Sequence, residues 1–121
     1  MPFAVLSEPA VEALAQLFRL LGEPNRVRIL CSLGMECRPV TDVIRATGLE
    51  QTNASFHLRI LREAGLVRAE RRGPFVYYCL AHPDLLHMLR DLEQWLQSRR
   101  TPSARNDQET GRLMRPSSTT R

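Results

Sequence analysis

The chain has 121 residues, 43% of them hydrophobic, which suits one domain with a core of its own. No apolar run approaches the ~18 residues that span a membrane, and "MPFAVLSEPA" lacks the basic start and continuous apolar stretch of a secretory signal, so a soluble, cytoplasmic protein without a membrane partner is expected. The net charge of +4 belongs to the C-terminus: residues 1–98 hold 11 Arg and 11 acids and residues 99–121 hold 6 Arg and 2 acids, so overall charge does not identify a partner.

"PAVEALAQLFRLLG" places Val11, Leu14, Leu17, Phe18 and Leu21 at helical spacing, with Ser7 and Glu8 as a start and Gly22 as a stop. "EPNRVRILCSLG" predicts a second helix, with Pro24 in its first turn, Val27, Ile29, Leu30 and Leu33 inside, and Gly34 ending it. "CRPV" is short and extended, because Pro39 moves the preceding residue away from helical angles. "TDVIRATG" predicts a third helix, N-capped by Thr41 and closed by Gly48. "QTNASFHLRILREAG" predicts a fourth, with Ala54, Leu58 and Leu61 inward and Gly65 as terminator.

The period then changes from helical to alternating. Two β-rich segments, 66–70 and 75–80, flank "RRGP", a hairpin with a Gly-Pro turn signal. "HPDLLHMLRDLEQWLQSRR" predicts an amphipathic last helix with Leu85, Leu86, Leu89, Leu92, Trp95 and Leu96 on one face. Residues 101–121, rich in Ser, Thr, Pro and Arg, read as a disordered tail after a folded body over 1–100.

Helices three and four, joined by a turn containing Gly48, form a helix-turn-helix unit. In that unit the N-terminal residues of the second helix reach base edges in the major groove. Gln51, Thr52, Asn53 and Ser55 crowd that first turn. Gln can bond adenine through two hydrogen bonds, and Thr or Ser can touch thymine or phosphate. The bland alternative is that Thr52 and Asn53 satisfy free amides of their own helix. Arg59, Arg62, Arg68, Arg71 and Arg72 face only Glu63 and Glu70 across 14 residues, a stripe suited to phosphates or to plain solvation. The hairpin tip would lie along the backbone as a wing, with Arg71 and Arg72 on phosphates.

"LGEPNRVRIL", "GLEQTNASFHLRILREAGLV" and "RRGPFVYYCL" together resemble the ArsR/SmtB family of bacterial winged-helix repressors over about residues 8–97. The resemblance implies an α+β, mainly α, fold: a dimeric winged helix-turn-helix of five helices and a β-hairpin wing. It implies a homodimer through the first and last helices, binding to an inverted repeat in double-stranded promoter DNA, and release by an inducer or thiol modification. Carried over by position, Gln51, Thr52, Asn53, Ser55 and His57 face DNA, Arg59 lies near phosphate, and Arg71 and Arg72 sit on the wing. His57 alternatively packs beside the wing.

The family's metal sites map poorly. Its Cys-x-Cys pair in the third helix falls on Pro39 and Thr41, and its zinc ligands in the last helix fall beside Asp84 and His87 on Gln94 and Gln97, so no resident cofactor is expected. Cys31 lies where some redox-sensing relatives carry one of two cysteines, but their partner in the last helix is missing. Cys37 and Cys79 lie on segments expected to pair in one sheet, within reach of a disulfide. The three thiols are therefore candidates for redox sensing or for a thiophilic metal or metalloid. Otherwise they are structural, with Cys31 buried as a small hydrophobe.

Two readings from other classes compete. An enzyme needs a nucleophile, acid–base pair or phosphate loop, and no such motif is present. A winged-helix protein-interaction module without specific DNA binding fits the neutral body, but not the polar first turn of the fourth helix.

Overall fold

The computed structural model describes residues 5–110, with side chains described to Arg99. The elements are α1 (Glu8–Leu21), α2 (Pro24–Leu33), β1 (Arg38–Pro39), α3 (Val40–Thr47), α4 (Gln51–Glu63), β2 (Val67–Arg72), β3 (Phe75–Leu80) and α5 (Asp84–Thr110). The chain divides into two units, one ending at Leu86 and the other starting at His87.

In the first unit, stripes from α2, α3, α4, β2 and β3 meet in a single core. Ile29, Leu30 and Leu33 come from α2, Val43 from α3, Ala54, Leu58 and Leu61 from α4, and Val67 and Leu80 from the strands, all buried. Burial of these side chains, the larger ones stabilising by roughly 1.5–3 kcal/mol each, sets the rotation of α2, α3 and α4. Because Ile29, Leu30 and Leu33 take the inner side of α2, Cys31 is turned outward. It is exposed rather than buried as the sequence reading expects. Val27 is only half-buried.

Helix ends follow local chemistry. Ser7 caps α1, its Oγ accepting from the Ala10 amide at 3.3 Å. Helix α3 starts at Val40, one residue before the predicted cap Thr41. Pro39 occupies the cap position with φ −72° and ψ 162°; its fixed φ sets the entry angle without a side-chain bond. Gly48 closes α3 in the left-handed region at φ 76°, its amide donating to the Ile44 carbonyl at 2.8 Å.

The sheet has the order β1-β3-β2, all antiparallel. In β2 and β3, Val67 faces Leu80, Ala69 faces Tyr78 and Arg71 faces Val76, on the side that reaches the core. Arg68 faces Cys79, Glu70 faces Tyr77 and Arg72 faces Phe75 on the other side, by strand alternation. The hairpin turns at Gly73, φ 61°, and Pro74. Arg71 and Arg72, predicted in the turn, are instead the last two residues of β2. They therefore point to opposite faces of the sheet.

In the second unit α5 continues past residue 100, where the sequence reading begins the tail, to Thr110. Residues 111–121 lie outside the described residues. No helix among the described residues is long and apolar enough to cross a membrane.

Leu58 is 1% exposed at the centre of α4's inner stripe. Leu58→Ala is expected to cost about 2–5 kcal/mol, cavity included, read as a lowered urea midpoint at unchanged slope. A loss under about 0.5 kcal/mol would contradict its central place in the core.

Candidate nucleic-acid interface

Helices α3 and α4 are joined by Gly48, Leu49 and Glu50. Helix α4 starts with Glu50 in the cap position and no side-chain cap bond. Gln51, Thr52, Asn53 and Ser55 are all exposed. Among the described residues none of them makes a side-chain hydrogen bond, so they do not serve the free amides of their own helix. The first turn of α4 is thus a patch of unengaged donors and acceptors at a helix N-terminus, where the backbone dipole also favours an anion.

Gln51, Thr52 and Ser55 line a shallow depression with Phe56, Arg59, Arg62 and Tyr78. Sequence reasoning named Gln51, Thr52, Ser55 and Arg59 here. It counted Arg62 only in a charge stripe and did not include Phe56 or Tyr78. Alternation along β3 leaves one of the two tyrosines on each face, and the pairing of Tyr78 with Ala69 puts it on Arg71's side of the sheet. Arg59, Arg62 and Arg71 are exposed. Among the described residues none of the three has a carboxylate within ion-pair distance.

Arg72 differs. Its Nη2 lies 2.7 Å from Glu70 Oε1, and its guanidinium sits 4.5 Å from the Tyr77 ring centroid. Arg68 holds the other Glu70 oxygen at 2.7 Å. Hydrogen bonds from Arg68 first, then Arg72, hold the Glu70 carboxyl below its ordinary range. This ladder braces the outer face of the wing, so Arg71 and Arg72 are not equivalent.

His57 is 6% exposed, in line with Ala54, Leu58 and Leu61. Its Nδ1 accepts from Arg26 Nε at 3.2 Å, and Arg26 Nη1 donates to the Leu20 carbonyl at 3.2 Å. The structure removes it from the DNA-facing set, because the spacing 54-57-58-61 places it on the inner stripe. There it ties α4 to α2 and to the end of α1.

Cys37 and Cys79 are joined by a disulfide with Cα atoms 4.2 Å apart. The pairing of Arg38 with Tyr78 and Pro39 with Tyr77 brings the residue before β1 beside Cys79. The free thiol Cys31 is not grouped with them.

A family model described as "Bacterial regulatory protein, arsR family" matches residues 23–69, which hold α2, α3 and α4. Rv0081 of Mycobacterium tuberculosis, named an HTH-type transcriptional regulator, is 39% identical over 84 residues, 69% of this chain and 74% of that protein. This chain belongs to the arsR family. NmtR of the same organism, also an HTH-type transcriptional regulator, is 36% identical over 88 residues, 73% of each chain. The crystal structure of Rv0081 superposes with a TM-score of 0.69, covering 82% of this chain and 98% of that one. The homodimeric winged helix-turn-helix DNA-binding domain of Mb0332 from Mycobacterium bovis superposes at 0.65 with 29% identity, covering 82% and 94%. As an arsR-family member the chain is a winged helix-turn-helix transcriptional regulator, with α3–α4 as the helix-turn-helix and β2–β3 as the wing.

Two measurements check these placements. His57→Ala is expected to lower stability by about 1–3 kcal/mol by leaving the half-buried Arg26 Nε without its acceptor, while Gln51→Ala on the surface stays within about 0.5 kcal/mol. Equal effects in thermal melts would contradict the division of α4. Thiol titration of the native, unreduced protein is expected to show one fast thiol per chain, Cys31. Three fast thiols would contradict the Cys37–Cys79 bond.

Proposed function

We propose that this arsR-family regulator is a cytoplasmic homodimeric repressor that acts by binding, not catalysis. It recognises an inverted repeat in promoter DNA and is released by an inducer or by a change at its thiols. The observation that carries this reading is the first turn of α4: four exposed polar side chains at the start of the second helix of a helix-turn-helix, none of them hydrogen-bonded among the described residues. Gln51, Thr52, Asn53 and Ser55 are assigned to base edges and adjoining phosphates, and Arg59 to phosphate. Arg71 is assigned to backbone contact, since it shares its sheet face with Tyr78 and has no carboxylate within ion-pair distance among the described residues. Arg72 takes the lesser part, its charge being shared with Glu70 and Tyr77.

The homodimer is supported by apolar surface that a single chain leaves bare. Helix α1 buries no residue fully, and Val11 and Phe18 are 44% and 56% exposed. On α5, Met88, Leu92, Trp95 and Leu96 are exposed. Single chains rarely present so much apolar side chain without a partner, and the Mb0332 domain is itself homodimeric. A protein-interaction module that does not bind DNA would be expected to place apolar groups on the first turn of α4 instead.

Fluorescence anisotropy with the DNA upstream of the protein's own gene tests the reading. Specific binding is expected at roughly 10⁻⁸–10⁻¹¹ M. Gln51→Ala should cost about 1–3 kcal/mol and relax preference at one base pair, while Arg71→Ala should weaken all sequences alike and lower the salt slope by about 1. Equal affinity for promoter and scrambled DNA would overturn the proposal.

A further inference from the structure

We propose that Cys37, Cys79 and Glu70 form a site for one soft divalent cation of the zinc–cadmium type when the Cys37–Cys79 bond is reduced. One sulfur from each cysteine and one carboxylate oxygen lie within 4.8 Å of one another. The sheet brings them together from β2, β3 and the residue that leads into β1. Cys79 on β3 faces Arg68 on β2, Glu70 lies two residues further on the same face, and Cys37 enters beside Cys79 from β1. Sequence reasoning paired the two cysteines but sought a third ligand in Cys31, which lies outside the group.

The donor set selects the ion. A tetrahedral zinc-type cation needs sulfur at about 2.3 Å and oxygen at about 2.0–2.2 Å, so its donors stand about 3.5–3.8 Å apart. The three donor atoms are gathered within 4.8 Å of one another with the sulfurs still bonded, so the sulfurs part on reduction and the carboxylate closes in as the cation enters. Two thiolates favour soft ions over magnesium or calcium, which take six or more oxygens. Cys79 is buried while Cys37 and Glu70 are half-buried, so approach is from the Cys37–Glu70 side, and the fourth position is left to water.

Reduction opens the site. A dithiol reductant passes two electrons and two protons to the disulfide, leaving two thiols here and a disulfide on the reductant. Cation binding then releases the two thiol protons. The oxidised chain has no thiolate to offer. Glu70 also holds Arg68 and Arg72 at 2.7 Å, so an occupied site draws on the same carboxylate that braces the wing.

The test is a cadmium titration of the full chain, reduced with dithiothreitol and desalted without oxygen, followed by the ultraviolet thiolate-to-cadmium band. One cation per chain is expected for the reduced protein and none for the oxidised protein. Cys31→Ser should keep the band. Cys79→Ser should weaken binding by more than the roughly 10–100-fold typical of losing a group that only orients a ligand, and Glu70→Gln by about tenfold. The absence of a band in the reduced protein, or an equal band in the oxidised protein, overturns the proposal. The oxidised wild type serves as control without any substitution, should Cys79→Ser fail to fold. No DNA enters the titration, so its outcome is independent of the DNA-binding reading.

Discussion

Helix α4 performs two tasks on one short cylinder. Ala54, His57, Leu58 and Leu61 bury one side of it against α2 and the sheet, and this burial fixes the rotation of the whole helix. With that side committed, Gln51, Thr52, Asn53, Ser55 and Arg59 have nowhere to point but outward. The part-buried Arg26–His57 bond adds direction to what is otherwise non-directional apolar packing, because a hydrogen bond has a preferred angle and a close-packed stripe alone tolerates small rotations. The polar first turn of α4, to which DNA contact is assigned by proposal, is therefore positioned from behind by residues on the inner stripe.

The sheet supplies a second, independent frame. Strand β3 is central, with the long β2 on one side and the two-residue β1 on the other. Its core-side residues continue the hydrophobic interior, and its outer side carries charge and sulfur: Arg68, Glu70, Arg72 and the Cys37–Cys79 bridge. One wing thus has a face that carries Tyr78 and Arg71 and a face that carries the ion pairs and the disulfide. That division explains why two adjacent arginines in one strand have different surroundings.

Most of the architecture was legible because it rests on short-range signals. Glycines at 22, 34, 48 and 65 mark helix ends, and the change of period after residue 65 marks the hairpin. The neighbouring positions of Cys37 and Cys79 were also legible, since in a winged helix the short strand before the third helix pairs with the second strand of the wing. What was missed depends on angle or on distant partners. Cys31 was placed inside because cysteine is often buried, although the 29-30-33 stripe already fills that side. For His57 packing stands in the sequence as the alternative to DNA contact, but its partner Arg26, thirty-one positions away, is not visible there. Thr41 lost the cap to Pro39, whose rigid backbone needs no side-chain bond. Arg71 and Arg72 were grouped as a turn pair because a two-residue shift in where β2 ends is invisible in a run of arginines. Tyr78 and Phe56 carry no motif, and only the packing of α4 against the sheet brings them to the same depression.

The bridge between Cys37 and Cys79 spans 42 positions of sequence, and between its ends lie α3, α4, β2 and most of β3. The helix-turn-helix and its wing are thus enclosed in one covalent ring. In the chain-entropy account, closing a ring of that size removes on the order of 4 kcal/mol of freedom from the unfolded chain. A peptide bond cut anywhere inside the ring would leave two fragments still tied together. Opening the bridge turns the same segment into an ordinary open strand of chain, attached to the rest only by packing.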